Sequence, residues 1–202
     1  VSVIVPVECV APKSLFGEYK QNESGNYGAA LEWSYNITEE WLRYDDGIYT
    51  GESVGNFPLS WAVMFPAASL TSYEGLYLST VSMFMPSQSQ GAFGEISIYM
   101  GGDAQPGDMV YSQSYEADPA DDFVDYELES PVMIDPTQNL WIVISNETGY
   151  HAAACASNCG DPNSRWLNYT GAWIDMYAAS ASFDFSWMVR GLLTNASRSG
   201  EF

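Results

Sequence analysis

Histidine occurs once in the 202 residues, at His151. A site that needs two histidines, such as the zinc pair of H-E-x-x-H, is therefore excluded. A Ser-His-Asp triad would have to use His151 as its base, and no G-x-S-x-G elbow accompanies it. Cations are nearly as scarce: six Lys+Arg stand against 26 Asp+Glu, a formal charge of -20. Such a chain has no cationic surface to replace phosphate counterions, which argues against a nucleic-acid partner. The same charge argues against an anionic membrane surface. No apolar run approaches the ~18 residues of a membrane span. Neither G-x-G-x-x-G nor G-x-x-x-x-G-K-[ST] is present, so nucleotide chemistry has no support. The apolar start VSVIVPVECV lacks a basic n-region and reads as a strand inside a longer precursor.

Cysteine is limited to Cys9, Cys155 and Cys159. Cys155 and Cys159 could close a small loop if the Cα geometry permits, leaving Cys9 over. Three free thiols are the equal alternative. A four-ligand zinc site lacks a second Cys/His pair. Five N-x-[ST] sequons occur, at Asn22, Asn36, Asn146, Asn168 and Asn195. In a eukaryotic secreted protein these are surface glycan acceptors; in a bacterial one they are polar strand ends.

What the chain does have is apolar mass. Hydrophobic residues make up 47% and aromatics 15%, enough for a core despite the acidity. The length fits one domain, or one domain plus a fragment. Ile96, Ile98 and Met100 alternate with Glu95, Ser97 and Tyr99, and Val124, Tyr126 and Leu128 alternate with Asp125, Glu127 and Glu129. That period of two is a strand signal. Segment 140–144, LWIVI, is continuously apolar, as a strand covered on both faces is. Segment 183–193 reads as one long closing strand with Phe183, Phe185 and Trp187 on one face. Gly/Pro/Asp/Asn clusters at 101–108, 117–122, 135–139 and 158–164 punctuate these runs. Only 37–43 and 66–73 look helical. The pattern predicts an all-β fold, a β-sandwich of two antiparallel sheets. Its core should include Leu78, Ile96, Ile98, Leu128, Trp141, Ile142, Val143 and Trp187.

Two stretches carry a resemblance. Val1 to Trp33, with VPVEC, A-P-K-S-L and A-L-E-W, is similar to a junction between fibronectin type III modules. From Trp41 the order runs through Tyr44-Asp45-Asp46-Gly47, Ile96 to Gly102, Pro106 to Gln113, Leu140-Trp141-Ile142 and Trp187 to Gly191. This order resembles the adhesin-like β-sandwich modules of secreted and surface Bacteroidetes proteins, near the adhesin domains of gingipains and haemagglutinins. The resemblance implies a jelly roll, export, a non-catalytic adhesion role and often structural calcium. The expected layout is a fibronectin type III-like junction or added strands over 1–40, a jelly roll over 41–195 and a tail over 196–202. The acidic segment 116–129 and the Cys155–Cys159 loop depart from that pattern.

Candidate sites are few. Calcium takes six to eight oxygen ligands, and Asp45, Asp46 and Asp161 stand in turn-like loops that could supply some. Plain Asx-turns explain the same residues without an ion. The seven acids of 116–129 form either a cation-binding face or the charged outer face of a strand that resists edge pairing. Trp166, Tyr169, Trp173 and Tyr177 lie in a polar, loop-rich stretch and could form a sugar platform, whereas most sandwich aromatics are core. Arg190, inside an apolar strand, should find a carboxylate. The reading that follows is a non-catalytic extracellular or cell-surface module of a multidomain protein, recognising a host protein or a glycan. A ligand-free spacer is the alternative, and a carboxylate-based glycan hydrolase comes third.

Overall fold

The alternating and continuous apolar runs become strands, and strand order decides which runs meet. The computed structural model describes residues 14–21, 27–34, 39–55, 57–148, 150, 152–157 and 161–195. The chain divides into two units, Val1–Thr38 and Glu39–Phe202. In the first, β1 (Ser14–Gln21) and β2 (Tyr27–Ser34) pair antiparallel, Ser14 opposite Ser34 and Gln21 opposite Tyr27.

The second unit opens with β3 (Glu39–Leu42), β4 (Tyr49–Val54) and β5 (Leu59–Phe65), then a one-turn helix α1 (Ala67–Leu70). Next come β6 (Tyr77–Met85), β7 (Phe93–Met100), β8 (Asp108–Glu116), β9 (Asp122–Met133) and β10 (Leu140–Asn146). After these come β11 (Ala153–Ser157), β12 (Trp166–Asn168), β13 (Trp173–Asp175), α2 (Met176–Ala179), β14 (Phe185–Trp187) and β15 (Val189–Thr194). One layer is a six-stranded sheet in the order β13-β12-β5-β10-β7-β8. The other is built from a four-stranded sheet, β3-β15-β6-β9, and a three-stranded sheet, β14-β11-β4. The pairings between these strands are antiparallel, and the result is an all-β sandwich.

The core lies between the layers. From the six-stranded sheet come Trp61, Val63, Phe65, Ile96, Ile98, Leu140, Ile142 and Ile144; from the other come Leu78, Val81, Met83, Leu128, Trp187 and Leu193. Fully burying one such aliphatic side chain contributes about 1.5–3 kcal/mol. Gly191 sits where a Cβ would come within 2.7 Å of Leu78 Cδ1 and 3.0 Å of Ile142 Cδ1. Strand β15 thus passes close over the core at a point that takes no side chain.

Several expectations change. Within 37–43, residues 39–42 form a strand and not a helix, because β15 offers Glu39–Leu42 a full ladder. The long closing strand is two strands broken at Met188: its N–H donates to Ala154 O at 3.0 Å, and its carbonyl accepts from Phe84 N at 3.1 Å. Those bonds reach different sheets, so the break is where the chain passes from one to the other. Phe183 precedes the strand and is exposed, although its ring meets Phe185. The loop-rich stretch at 166–177 holds the β12–β13 hairpin and α2.

Acidic β9 forms the edge of its sheet, as the alternation implied. Asp125, Glu127 and Glu129 are exposed while Leu128 is buried. Asp125 accepts a hydrogen bond from Ser82 Oγ at 2.5 Å on the neighbouring strand.

Candidate functional site

The aspartates of the expected calcium site are engaged individually. Asp45, Asp46 and Asp161 each accept a backbone N–H two residues on: Gly47 at 2.9 Å, Ile48 at 2.9 Å and Asn163 at 2.8 Å. These are Asx-turns, and Asp161 caps the short 3-10 turn at 162–164. Asp45 is also buried and paired with Arg190, the carboxylate partner expected for that cation. Among the described residues no group of three or more His, Cys, Asp or Glu stands close enough to hold a metal ion. Of the cysteines, Cys155 is a free, buried thiol, and burial pushes its pKa up to about 12. Cys9, Cys159 and His151 lie outside the described residues.

The four candidate aromatics separate. Trp166 and Trp173 lie on the outer face of the six-stranded sheet, half-buried against fully buried Trp141, with ring centroids 5.2 and 6.1 Å from it. Together with Ala62, Met64, Val143 and Tyr99 they make a small second core outside the sandwich. Trp187 Nε1 crosses from the other layer and donates to Trp166 O at 2.8 Å, fixing β12 in place. Tyr177, on α2, covers Arg165, whose guanidinium carbon is 4.7 Å from the ring centroid. That arginine is buried and bound to Asp175 at 2.7 Å and Asp184 at 3.0 Å. Tyr177 therefore completes a structural knot apart from the other three rings.

Tyr169 is different. It is 52% exposed, with its ring against exposed Phe57 at 5.8 Å between centroids. It borders a shallow groove of about 370 Å³ lined by Pro58, Leu59, Ser60, Ser145, Asn146, Glu147, Asn168, Tyr169 and Gly171. The groove lies where β5 begins and where β10 and β12 end. Its polar groups are fixed from below. Asn168 Oδ1 accepts Gly171 N at 2.9 Å, closing the β12–β13 turn. Ser145 Oγ accepts Glu95 N at 3.0 Å. Asn146 is buried, and its Oδ1 accepts both the N–H and the hydroxyl of Thr148, at 3.0 and 2.9 Å. A few placed polar groups beside an aromatic ring are features found in ligand sites.

Sequence reasoning found Tyr169 but missed Ser60, Ser145, Asn146 and Glu147. The Asn146-Glu147-Thr148 sequon was the available signal, and it marks a strand end with a buried amide. The sequons at Asn22 and Asn36 fall outside the described side chains.

No family model matches the chain, and no curated protein matches it. Among the solved chains that its fold resembles are two of one clostridial protein. One is the clostridial cysteine protease Cwp84 after propeptide cleavage, with a TM-score of 0.60 and 9% identity, covering 83% of this chain and 42% of that one. The other holds the cysteine protease and lectin-like domains of Cwp84, a surface layer associated protein of Clostridium difficile, with a TM-score of 0.56 and 10% identity, covering 83% and 38%. The likeness falls on the lectin-like part of those chains. This chain spans about two-fifths of their length and shares with them a β-rich sandwich fold.

Proposed function

We propose that this chain is a non-catalytic glycan-binding module of an exported, multidomain protein, with the groove beside Tyr169 as its site. The observation that carries the reading is the exposed Tyr169 ring at the rim of a groove lined by hydroxyls, carboxamides and one carboxylate. An aromatic face takes the apolar side of a sugar ring, while fixed amides and hydroxyls take its hydroxyl groups. The likeness to the lectin-like part of a surface-associated protein supports both the binding role and the extracellular setting. Glycoside hydrolysis uses two facing carboxylates, and among the described residues Glu147 is the one carboxylate lining this groove, which favours binding over cleavage.

The test is a glycan array with the intact chain and its Tyr169→Ala variant. Tyr169 is exposed, so the variant keeps its fold. Binding to a defined glycan class, weakened at least about tenfold by Tyr169→Ala, is the expected result. Equal binding by the two proteins moves the site elsewhere. An array without signal, beside a specific pull-down of an extracellular protein, replaces the glycan reading with a protein-adhesion one.

A further inference from the structure

The sheet face beneath the groove continues past Asn168 onto β13. Trp173 stands directly opposite Asn168, Asn168 opposite Ser60, and Ser60 opposite Ser145. Residues directly opposite on neighbouring strands share a face, so these four form one row across β13, β12, β5 and β10. At ~4.8 Å between strands the row is roughly 14 Å long. Half-buried Trp173 closes one end, and Glu147 follows Ser145 by two residues at the other. The row therefore offers an extended track, with an aromatic ring at one end and hydroxyls and a carboxamide along it.

The charge in this track has one sign. Among the described residues that line it, none is Lys, Arg or His. Arg165 and Arg190 are committed to Asp175, Asp184 and Asp45. The chain as a whole carries a charge of -20. An anionic sugar brought here would lose hydration, meet Glu147 and gain no counter-charge, and like charges across an interface are costly. A neutral sugar meets no such cost, and its hydroxyls can donate to the Glu147 carboxylate in charge-assisted hydrogen bonds.

We propose that the site selects an uncharged oligosaccharide laid across the strands along Trp173, Asn168, Ser60 and Ser145, with Glu147 accepting from sugar hydroxyls and turning away anionic sugars. This rests on the glycan-binding reading above and adds the ligand's charge and its length.

The experiment uses the full chain on an array of neutral, carboxylated and sulfated glycans. Calorimetry follows on cellotetraose, its oxidised uronate form, cellobiose, lacto-N-tetraose and sialylated lacto-N-tetraose, together with any array hit and its acidic counterpart. Neutral tetrasaccharides should bind at least about tenfold tighter than their acidic counterparts, and cellobiose more weakly than cellotetraose. Raising the salt concentration should narrow the first gap, because it screens Glu147. Glu147→Gln, at an exposed position, should narrow it too, by weakening neutral binding and relieving the anionic penalty. Acidic glycans that bind as tightly as neutral ones, or a disaccharide as tight as a tetrasaccharide, would overturn this inference while leaving a glycan-binding module standing. Absence of binding to every glycan would overturn both.

Discussion

Asp45 and Arg190 lie 145 residues apart in sequence and meet in one buried ion pair. Arg190 Nε donates to the two Asp45 oxygens at 3.2 and 3.0 Å, and Nη2 donates to Oδ1 as well. The Phe123 ring covers the guanidinium, its centroid 3.6 Å from Cζ. The pair ties the loop after β3 to the last strand, and Gly47 completes it by donating its N–H to the same carboxylate.

Removing one partner leaves an uncompensated buried charge. Asp45→Asn should cost about 3–5 kcal/mol in urea unfolding, and Arg190→Met should cost a similar amount. The double variant Asp45→Leu/Arg190→Met should recover a large part of that loss, since an apolar pair of similar volume avoids desolvation. Single variants that unfold at the wild-type urea midpoint would show the pair to be dispensable.

Calcium can be tested separately. Asp45 already has both oxygens on Arg190, so a calcium ion would have to draw mainly on Asp46 and Asp161. The measurement is thermal melting after chelation, with calcium or magnesium restored at matched ionic strength. We expect the same Tm with either ion, because at matched ionic strength each screens a chain of charge -20 alike. A rise specific to calcium would establish a native-state site.

Trp187 connects the layers through its Nε1 bond to Trp166 O. Trp187→Phe keeps an aromatic ring but leaves that carbonyl without its donor and opens space beside it. The expected cost is about 1–3 kcal/mol in chemical denaturation. Any groove-binding signal should weaken with it, because β12 carries Asn168. An unchanged denaturation midpoint would refute the role of the indole bond.

Alkaline pH should destabilise the fold. Burial pushes Cys155 and Tyr126 up to about 12, and it raises Tyr44 and Tyr115 as well. Each group is neutral when protonated, so the folded state keeps protons that the unfolded chain releases above pH 9–10. Stability from these groups is complete below that range and is lost as pH rises through it towards 12. Tm measured from pH 8 to 11 should fall, and Cys155→Ala should make the fall shallower. A thiol reagent at pH 8 should leave Cys155 untouched in a Cys9→Ser/Cys159→Ser background until the protein unfolds.

The core was legible because it repeats. Ile96 and Ile98 obey a period of two, and LWIVI is apolar throughout; both patterns survive any choice of partner strand. Arg190 in an apolar strand announced a carboxylate, and Asp45 announced an oxygen-rich loop, but nothing local joined them. Sequence reasoning therefore weighs a metal against a plain turn at Asp45 and leaves Arg190 without a named partner. Strands β12 and β13 have three residues each, too few to show a period, so Trp166 and Trp173 passed for loop residues. The groove was harder still. Ser60, Ser145, Glu147 and Asn168 come from the ends of three strands and meet only through the order β12-β5-β10. Tyr169 alone declared itself, as an aromatic ring next to turn residues.

Glu39 of β3 stands opposite Thr194 of β15, so the first and last described strands of the second unit have their outer ends side by side on one ladder. Side-by-side strand ends of this kind set how the ladder answers a pull applied to both of them. Tension between those ends meets the four β3–β15 residue pairs in succession, starting at Glu39 and Thr194, and unzips them one at a time. Shear, which would load all of them together, does not arise in that direction. The sandwich beyond β3 is then shielded from a pull on those two strand ends, and the first element to yield under load is the shortest strand of its sheet.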